Sequence, residues 1–305
     1  MRLIVMGQQA FGKDVLAKLL GAGTDKVVAV YCEPDREGKP VDPIKEYAQE
    51  KCIPVHQPAN FEDPDTLKTL ASHDADLMVM AFVNVFVPEA ARDTPKQGSI
   101  CFHPSLLPKY RGPSAVNWPI IMGDNKSGFS WFYPSDGLDE GDSIMQWECD
   151  IDPDDTVIDL YFKKIYPVAV DSVLEVCDLY RAGITPRIVA DEAQATYERR
   201  CTARHAKINW HAPVGQVYNL IRGTNPAPGA YTTFNGVKLG VFDSARLPGD
   251  GISGRIRAIT DDGIEVQSVG GRILVKRVRP EGEGKMPSTE WASSVGLQVG
   301  DEFDP

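Results

Sequence analysis

The sequence predicts an α/β fold, a mostly parallel sheet with helices on both faces, followed by a small C-terminal antiparallel β-barrel. In the first part of the chain, short apolar runs alternate with amphipathic segments, a pattern typical of parallel strands joined by helices. Beyond residue 229, short β-prone runs are separated by turn residues, which favours a barrel. A polar, irregular segment at 183–204 indicates a linker. We therefore expect domains at residues 1–203 and 204–305.

Within the first domain, strands are predicted from β-rich apolar runs bounded by turn residues. They are Arg2–Met6, Lys26–Tyr31, Ile53–Val55, Asp76–Ala81, Gly98–Phe102, Gly128–Phe132 and Ser143–Glu148. Apolar residues at helical spacing predict helices at Phe11–Leu20, Pro43–Glu50, Ser114–Met122 and Asp155–Ala182. Because Pro167 lies inside the last of these, we expect a kink or a break there.

The second domain begins with a predicted helix at His211–Arg222. The β-prone runs that follow are Ala230–Phe234, Val237–Phe242, Gly254–Thr260, Ile264–Ser268 and Arg272–Val278. Asn235-Gly236 and Asp262-Gly263 are dipeptides typical of tight hairpin turns. These signals together predict antiparallel pairing.

The composition weighs against several classes of protein. No apolar run approaches the roughly 20 residues of a membrane helix, and the N-terminus is a poor signal peptide, so a cytoplasmic location is expected. The net charge of −11 weighs against a dedicated nucleic-acid binder. The 6 cysteines form no CxxC pair and have no closely spaced histidine partners. We therefore expect neither a metal site nor a disulfide framework.

A glycine-rich segment, Gly7-Gln-Gln-Ala-Phe-Gly12-Lys13, follows the first strand and opens a helix. Its spacing imitates a phosphate-binding loop, but Asp14 stands where such a loop needs a serine or threonine hydroxyl for the metal. The middle glycine of the dinucleotide fingerprint is also absent. We interpret the segment as a tight strand-to-helix turn, which disfavours an NTPase or an NAD-dependent dehydrogenase.

The segment GSICFHPSLLPKYRG at 98–112 carries the first candidate catalytic residue. An apolar strand ends at His103, at the sheet edge where α/β proteins bind ligands. Histidine donates a proton readily near neutral pH, although a lone histidine after a strand is more often structural. Two prolines hold the next loop rigid. Its candidate substrate-contacting residues are Ser105, Leu106, Leu107, Lys109 and Arg111. The other four histidines lack such a setting, and we interpret them as surface or core residues.

A second candidate lies in the acidic segment Ser135-Asp136-Gly137-Leu138-Asp139-Glu140-Gly141-Asp142, between two apolar runs. Its residues are equally compatible with a solvated hairpin loop and with a catalytic role. A carboxylate that faces a histidine would orient the ring and favour its imidazolium form, which prepares a general acid.

HPSLLPKYRG, followed by DGLDEGD, resembles the folate-dependent formyltransferase family, with Asp139 placed 36 positions after His103 (139 − 103). The similarity spans the whole chain, since MGQQAFGKDVL at 6–16, INW at 208–210 and IRGTNPAPGAYT at 221–232 also fit it. The resemblance implies a Rossmann-like catalytic domain followed by a small open, OB-like barrel. It also implies 10-formyltetrahydrofolate as the one-carbon donor, without a metal.

The resemblance assigns roles residue by residue. It places His103 and Asp139 at the family's catalytic histidine and aspartate. The segment Phe82-Val83-Asn84-Val85-Phe86 corresponds to the loop that holds the pterin ring. Asp136, Gly137 and Leu138, with Asp139, correspond to the loop that closes over that ring.

One position departs from the family's transferases, which usually carry N-x-H where this chain has Cys101-Phe102-His103. The asparagine helps to hold the formyl oxygen. The hydrolase domain of 10-formyltetrahydrofolate dehydrogenase also lacks it, and EPDREGKPVDP at 33–43 resembles that domain too. We expect the hydrolase-type branch to be the nearest, without that protein's carrier and aldehyde dehydrogenase domains.

These observations favour hydrolysis of 10-formyltetrahydrofolate to tetrahydrofolate and formate. The alternative is formyl transfer to an amine on methionyl-tRNA, an amino sugar or a small metabolite. The acidic charge weakens the tRNA alternative, but it stays open because Lys276, Arg277 and Arg279 form a basic strip. A minor alternative is a non-catalytic, folate-binding regulator. A further alternative is Cys101 as a nucleophile. It is a minor one, because a reactive thiol needs a cationic neighbour to lower its pKa and only His103 is near in sequence.

Overall fold

The computed structural model describes residues 1–304. The elements in chain order are β1 (Arg2–Gly7), α1 (Gln9–Ala22), β2 (Lys26–Tyr31), α2 (Pro43–Glu50), β3 (Val55–His56), α3 (Pro64–Ser72), β4 (Leu77–Ala81), α4 (Glu89–Arg92), β5 (Ser99–His103), α5 (Asn117–Met122), β6 (Lys126–Phe132), β7 (Ser143–Asp150), a π-helix (Asp159–Ile165), α6 (Tyr166–Arg181), α7 (Val214–Thr224), β8 (Ala230–Phe234), β9 (Val237–Val241), β10 (Ser244–Leu247), β11 (Ile256–Thr260), β12 (Gly263–Ser268), β13 (Gly271–Val275), β14 (Arg277–Pro280), β15 (Met286–Pro287) and α8 (Ser288–Val295).

The chain divides into two units that interleave along the sequence. The first consists of Met1–Gly112, Gly128–Glu148 and Lys164–Tyr197, and the second of Pro113–Ser127, Cys149–Lys163 and the residues from Glu198 onward. The domain boundary expected at residue 203 stays a prediction.

A seven-stranded sheet forms the centre of the first unit, with the strand order β3-β2-β1-β4-β5-β6-β7. Strands β1 to β5 pair in parallel, whereas β6 is antiparallel to β5. The mostly parallel α/β fold is therefore confirmed. The strand order reverses direction between β1 and β4, and the carboxyl ends of strands at such a switch point are where open α/β sheets bind ligands.

One face of this sheet is covered by α3 and α4. Ile4 and Met6 of β1 share a buried cluster with Leu70 of α3 and Ala91 of α4. Residues two apart in a strand point to the same face, so β1 presents its other side chains to the opposite layer.

The opposite face is covered by α1 and α6. The ring of Phe102 in β5 stacks on Phe11 of α1 with centroids 4.3 Å apart. In β6, Trp131 donates a hydrogen bond from Nε1 to Ser172 Oγ of α6 at 2.8 Å. Helices on both faces explain why a strand such as β4 is buried along its whole length.

The glycine-rich turn after β1 is explained by packing. A Cβ atom on Gly7 would lie 2.2 Å from the carbonyl oxygen of Ala81 in β4, so only glycine allows the two strands to approach this closely. β1 ends at Gly7 and α1 begins at Gln9, which is the tight turn that the sequence predicted.

Several elements of the first unit differ from the prediction. Helices α3 and α4 were not expected, although Asp63 caps α3 by accepting a hydrogen bond from Thr66 N and Pro64 follows it. The two helices have only nine and four residues, which is too short for a clear apolar periodicity in the sequence. The helix does not break at Pro167, since a π-helix ends at Ile165 and α6 starts directly at Tyr166, so that only the hydrogen-bond pattern changes there. A kink at this position stays a prediction. Proline is tolerated there because the first helical turn needs no N–H partner.

The second unit contains two four-stranded sheets, with the orders β10-β13-β12-β11 and β15-β14-β9-β8. The pairings within residues 1–304 do not close them into a barrel, and the open barrel stays a prediction. The single strand expected at Arg272–Val278 is wrong. Lys276 separates β13 from β14, and the two strands join different sheets.

Three rings meet at the edge of the parallel sheet. Tyr31 stacks on His56 with centroids 4.9 Å apart, and its hydroxyl lies 3.0 Å from His73 Nε2. The two imidazole centroids are 5.0 Å apart. Burial lowers the pKa of His56, and burial together with the charges of His56 and Arg2 lowers the pKa of His73.

This cluster predicts a loss of stability in mild acid. Both histidines have a lower pKa folded than the 6.5 of the free side chain, so the unfolded state binds more protons as the pH falls. Their stabilising contribution is complete above pH 6.5 and is lost as the pH falls through the folded pKa values. Thermal unfolding between pH 7.5 and 5 should show a smaller decrease in Tm for the His56→Gln, His73→Gln double variant than for the wild type. An equal decrease would contradict the assignment.

Candidate active site

The candidate site lies where the parallel strands end. The register of β4 and β5 pairs Met80 with Cys101, so Phe82 follows β4 beside the position of His103 at the end of β5. Neighbouring strands are about 4.8 Å apart. The sheet therefore brings the predicted ring-binding loop at 82–86 next to the predicted catalytic histidine.

His103 is 6% exposed and meets an oxygen at each ring nitrogen. Its Nε2 lies 2.9 Å from the carbonyl oxygen of Tyr110, to which it can only donate, and its Nδ1 lies 3.5 Å from Asp139 Oδ2. The same carboxylate oxygen accepts a hydrogen bond from Gly112 N at 2.8 Å. The structure therefore brings the predicted histidine and aspartate together.

Backbone strain is concentrated around this pair. Phe82, Tyr110 and Asp139 have φ values of 64°, 57° and 51°, in the left-handed region that side chains other than glycine rarely adopt. Such conformations persist only where the surrounding contacts enforce them, and they cluster at functional sites.

The loop after His103 is held from within. Ser105 Oγ donates to the carbonyl oxygen of Lys109 at 2.6 Å, and Ser130 Oγ donates to the carbonyl oxygen of Ser105 at 2.8 Å. The carbonyl oxygen of Leu107 accepts from Gln146 Nε2 at 2.7 Å. Of the predicted substrate-contacting residues, Ser105 and Leu107 are therefore buried and stabilise the loop.

The remaining predicted loop residues divide into exposed and buried positions. Leu106 is half-buried, and Lys109 is exposed to solvent. Arg111 is only 1% exposed and donates from both terminal nitrogens to Glu192, at 2.9 and 2.7 Å, and to Tyr197 Oη at 2.7 Å. The Glu192 carboxylate raises the pKa of Arg111. The segment at 183–204, which was predicted to be a linker, therefore stabilises the loop that follows His103.

A cavity of about 390 Å³ adjoins the end of β4 at the switch point. Its lining consists of Met6, Gly7, Gln8, Cys32, Glu33, Pro34, Pro58, Ala59, Asn60, Phe61, Phe82, Val83, Asn84, Val85 and Phe86. The predicted ring-binding loop therefore forms one wall, whereas His103, Asp139 and residues 136–138 are not part of the lining. The lining includes one carboxylate, Glu33, and neither lysine nor arginine.

Two loops present apolar side chains to solvent near the pair. Phe86 is 63% and Leu138 60% exposed, which is high for side chains of this size. They lie on the two segments predicted to hold and to cover the pterin ring.

Cys101 occupies the position that precedes Phe102 and His103 on β5. Its half-buried Sγ lies 3.8 Å from the carbonyl oxygen of Phe102. Burial and the negative charge of Asp139 raise the pKa of this thiol well above its usual range. A thiolate nucleophile is therefore disfavoured here.

The raised pKa predicts slow alkylation. At pH 8, we expect iodoacetamide to modify the exposed Cys52 at least about tenfold faster than Cys101, because only the thiolate reacts. Peptide mapping by mass spectrometry follows both sites, with Cys101→Ser as the control for peptide assignment. Equal labelling of the two cysteines at pH 8 would restore Cys101 as a candidate nucleophile.

Sequence reasoning missed Arg92. This side chain is 6% exposed and donates from Nη1 to the carbonyl oxygens of Val87, at 3.0 Å, and Ser135, at 2.7 Å. Its Nη2 donates to Asp136 Oδ1 at 2.7 Å. No local pattern marks an arginine at the end of a short helix, since its partners Ser135 and Asp136 are distant in sequence.

Two features are absent from residues 1–304. No group of three or more His, Cys, Asp and Glu side chains in this range could hold a metal ion. None of its helices is both long and apolar enough to cross a membrane.

Comparison with known proteins identifies the family. Residues 1–166 match the family model described as formyl transferase, and residues 200–296 match the model of the formyl transferase C-terminal domain. The chain belongs to the formyl transferase family. The resemblance seen in the sequence is confirmed.

Curated relatives include two kinds of enzyme. The chain is 36% identical over 322 residues to the cytosolic 10-formyltetrahydrofolate dehydrogenase of Xenopus tropicalis, which covers 99% of this chain and 35% of that protein. It thus spans about a third of the length of the dehydrogenases that it matches. It is also 31% identical to the methionyl-tRNA formyltransferase of Geotalea daltonii, over 98% of this chain and 97% of that enzyme.

Solved structures share the fold at lower identity. HypX from Aquifex aeolicus, in complex with tetrahydrofolic acid, has a TM-score of 0.68 at 17% identity and covers 98% of this chain and 48% of its own. An N-formyltransferase from Helicobacter canadensis, in complex with folinic acid and dTDP-3-aminofucose, has a TM-score of 0.67 at 18% identity, covering 90% of this chain and 98% of its own.

Proposed function

We propose that this family member hydrolyses 10-formyltetrahydrofolate to tetrahydrofolate and formate. The observation that carries the proposal is the placement of His103 and Asp139, with Nδ1 and Oδ2 3.5 Å apart, at the carboxyl end of β5. The identity to 10-formyltetrahydrofolate dehydrogenases over nearly the whole chain supports it.

The proposed reaction is addition followed by elimination. The folate lies across the carboxyl ends of the strands, with its ring held by residues 82–86 and covered by 136–139. Water attacks the formyl carbon, and the carbonyl oxygen becomes an oxyanion. The bond from carbon to N10 then breaks, N10 takes the proton that Asp139 received from the water, and the formic acid that leaves ionises to formate.

His103 and Asp139 have separate roles in this scheme. The contact between Nδ1 and Oδ2, at 3.5 Å, is longer than an ordinary hydrogen bond, so the Nδ1 proton is available to the developing oxyanion. Asp139 Oδ2 is fixed by Gly112 N, and Oδ1 accepts no hydrogen bond within residues 1–304. Oδ1 can therefore accept the proton of the attacking water.

The helix end beside the cavity supports water as the acceptor rather than a phosphorylated amine. The N-terminus of a helix that follows β1 is a common phosphate site in α/β sheets. Here Asp42 fills it, since Gln9 N donates to both of its carboxylate oxygens at 2.8 and 3.0 Å. The cavity lining also lacks a cationic side chain. A nucleotide-linked sugar or a tRNA would meet negative charge on this side.

The identity of Cys101 points in the same direction. A thiol is a much weaker hydrogen-bond donor than the asparagine amide that transferases of the family use at this position. The formyl oxygen would therefore depend on His103 alone among these side chains. Transfer to methionyl-tRNA is the second candidate, supported by the match over 97% of a methionyl-tRNA formyltransferase.

Formate measurements test the proposal. Purified protein is incubated with 10-formyltetrahydrofolate, and formate and tetrahydrofolate are quantified with and without methionyl-tRNA or an amino sugar nucleotide. Hydrolysis predicts equal amounts of both products without any amine. Tetrahydrofolate release only with an amine, together with a formylated amine, would replace the proposal with transfer. Stoichiometric folate binding without turnover would indicate a regulator.

A further inference from the structure

Arg92 connects three parts of the site, which are the start of β5, residue 87 and the start of the acidic loop at residue 135. It ends α4, and its own carbonyl oxygen accepts a hydrogen bond from Ser99 Oγ at 2.6 Å, within the buried start of β5. The backbone of Arg92 is thereby fixed to the strand that ends at His103. Its guanidinium then reaches away from that strand towards two loops.

The guanidinium contacts both loops at once. Nη1 donates to Val87 O, directly after the predicted ring-binding loop, and to Ser135 O, at the start of the acidic loop. Nη2 pairs with the Asp136 carboxylate. A buried cation is costly unless it is paired and hydrogen-bonded, so these acceptors hold each other in place through Arg92.

The contacts of Arg92 differ in strength. The Asp136 side chain is 70% exposed, and exposed ion pairs stabilise little because solvent screens them. The hydrogen bonds to the two backbone carbonyls are shielded and charge-assisted, which makes them stronger. The main effect of Arg92 is therefore on loop geometry.

The other end of the acidic loop has a second buried arginine. Tyr197 donates to Glu140, and Arg111 Nη1 lies 3.8 Å from the same carboxylate. Asp139 directly precedes Glu140 and has a left-handed backbone conformation. The loop is thus held at residues 135–136 by Arg92 and at residue 140 by Arg111 and Tyr197, with Asp139 between them.

We propose that Arg92 is a positioning residue that sets the acidic loop, and with it Asp139, against the folate-binding loop. The inference rests on the proposed function for the identity of the ligand. Arg92 does not touch the reacting atoms. It acts through the geometry of residues 87 and 135–139, where a misplacement of about 1 Å can cost on the order of 10²-fold in rate.

Substitution of Arg92 tests the proposal on the full chain. Arg92→Ala should lower kcat for formate release on the order of 10²-fold and weaken binding of 5-formyltetrahydrofolate, a stable probe read by tryptophan fluorescence. Added guanidinium chloride at low millimolar concentration should restore part of kcat, because the small cation can occupy the vacated space. Arg92→Lys should remain impaired, since a single ammonium cannot span the acceptors.

Two variants serve as controls. Arg187→Ala removes an exposed arginine that pairs with Asp142 on the same loop, and it should keep wild-type kcat. If Arg92→Ala does not unfold cooperatively, Asp136→Asn replaces it, because this exposed position tolerates the change, with an expected decrease of only a fewfold. Wild-type kcat and probe affinity in folded Arg92→Ala, no guanidinium rescue, or an equal loss in Arg187→Ala would overturn the inference. Because probe binding is measured without turnover, a failure of the hydrolase proposal can be distinguished from a failure of the Arg92 inference.

Discussion

Replacing His103 with alanine is expected to lower the rate of formate release by about 10²–10⁴-fold, while folate binding is largely retained. The ring is buried against Tyr110 O, with Nδ1 directed at Asp139, so the substitution removes the proposed proton donor and leaves the proposed folate-binding loop at 82–86 in place. Steady-state kinetics give the loss in kcat, and fluorescence titration with 5-formyltetrahydrofolate gives the affinity.

Two controls accompany the His103 variant. His211→Ala changes an exposed histidine of the second unit, which has no proposed role, and should leave kcat unchanged. His103→Gln keeps an amide that can donate to Tyr110 O, so it separates loss of the hydrogen bond from loss of proton transfer. An alanine variant that folds and keeps wild-type kcat would remove His103 from the mechanism.

Asp139→Asn is expected to lower kcat by a similar factor, about 10²–10⁴-fold, with little effect on stability. The amide oxygen can still accept the hydrogen bond from Gly112 N, which preserves the loop. It cannot take a proton from water or stabilise a charged His103.

The matched control is Asp142→Asn, in the same loop. Asp142 accepts from Ala190 N and pairs with Arg187, away from His103, so its variant should retain kcat within about twofold. The two proposed catalytic residues, His103 and Asp139, should also act as a unit. The His103→Ala, Asp139→Asn double variant should be hardly slower than the slower single variant. Fully multiplicative losses would show that the two residues act independently.

Much of the fold could be predicted because its signals are local. The boundaries of β2, α2 and β8 agree with the prediction residue for residue, since apolar periodicity and turn residues mark them directly. Elements with weak periodicity were missed, as α3 shows. The split between β13 and β14 was also missed, because a run of β-prone residues does not reveal that its two halves pair with different strands.

The sequence by itself determined the α/β class, the candidate residues His103 and Asp139, and the family resemblance. These follow from patterns carried by neighbouring residues and from the spacing between His103 and Asp139. Only the tertiary structure placed His103 and Asp139 in contact. It also showed that Arg111 hydrogen-bonds to Glu192 and Tyr197, and that the Asp42 carboxylate occupies the N-terminus of α1. It also revealed Arg92 as the link between two loops. The physical reason is the same in each case. A hydrogen bond depends on distance in space, whereas sequence patterns record only which faces of local segments are apolar.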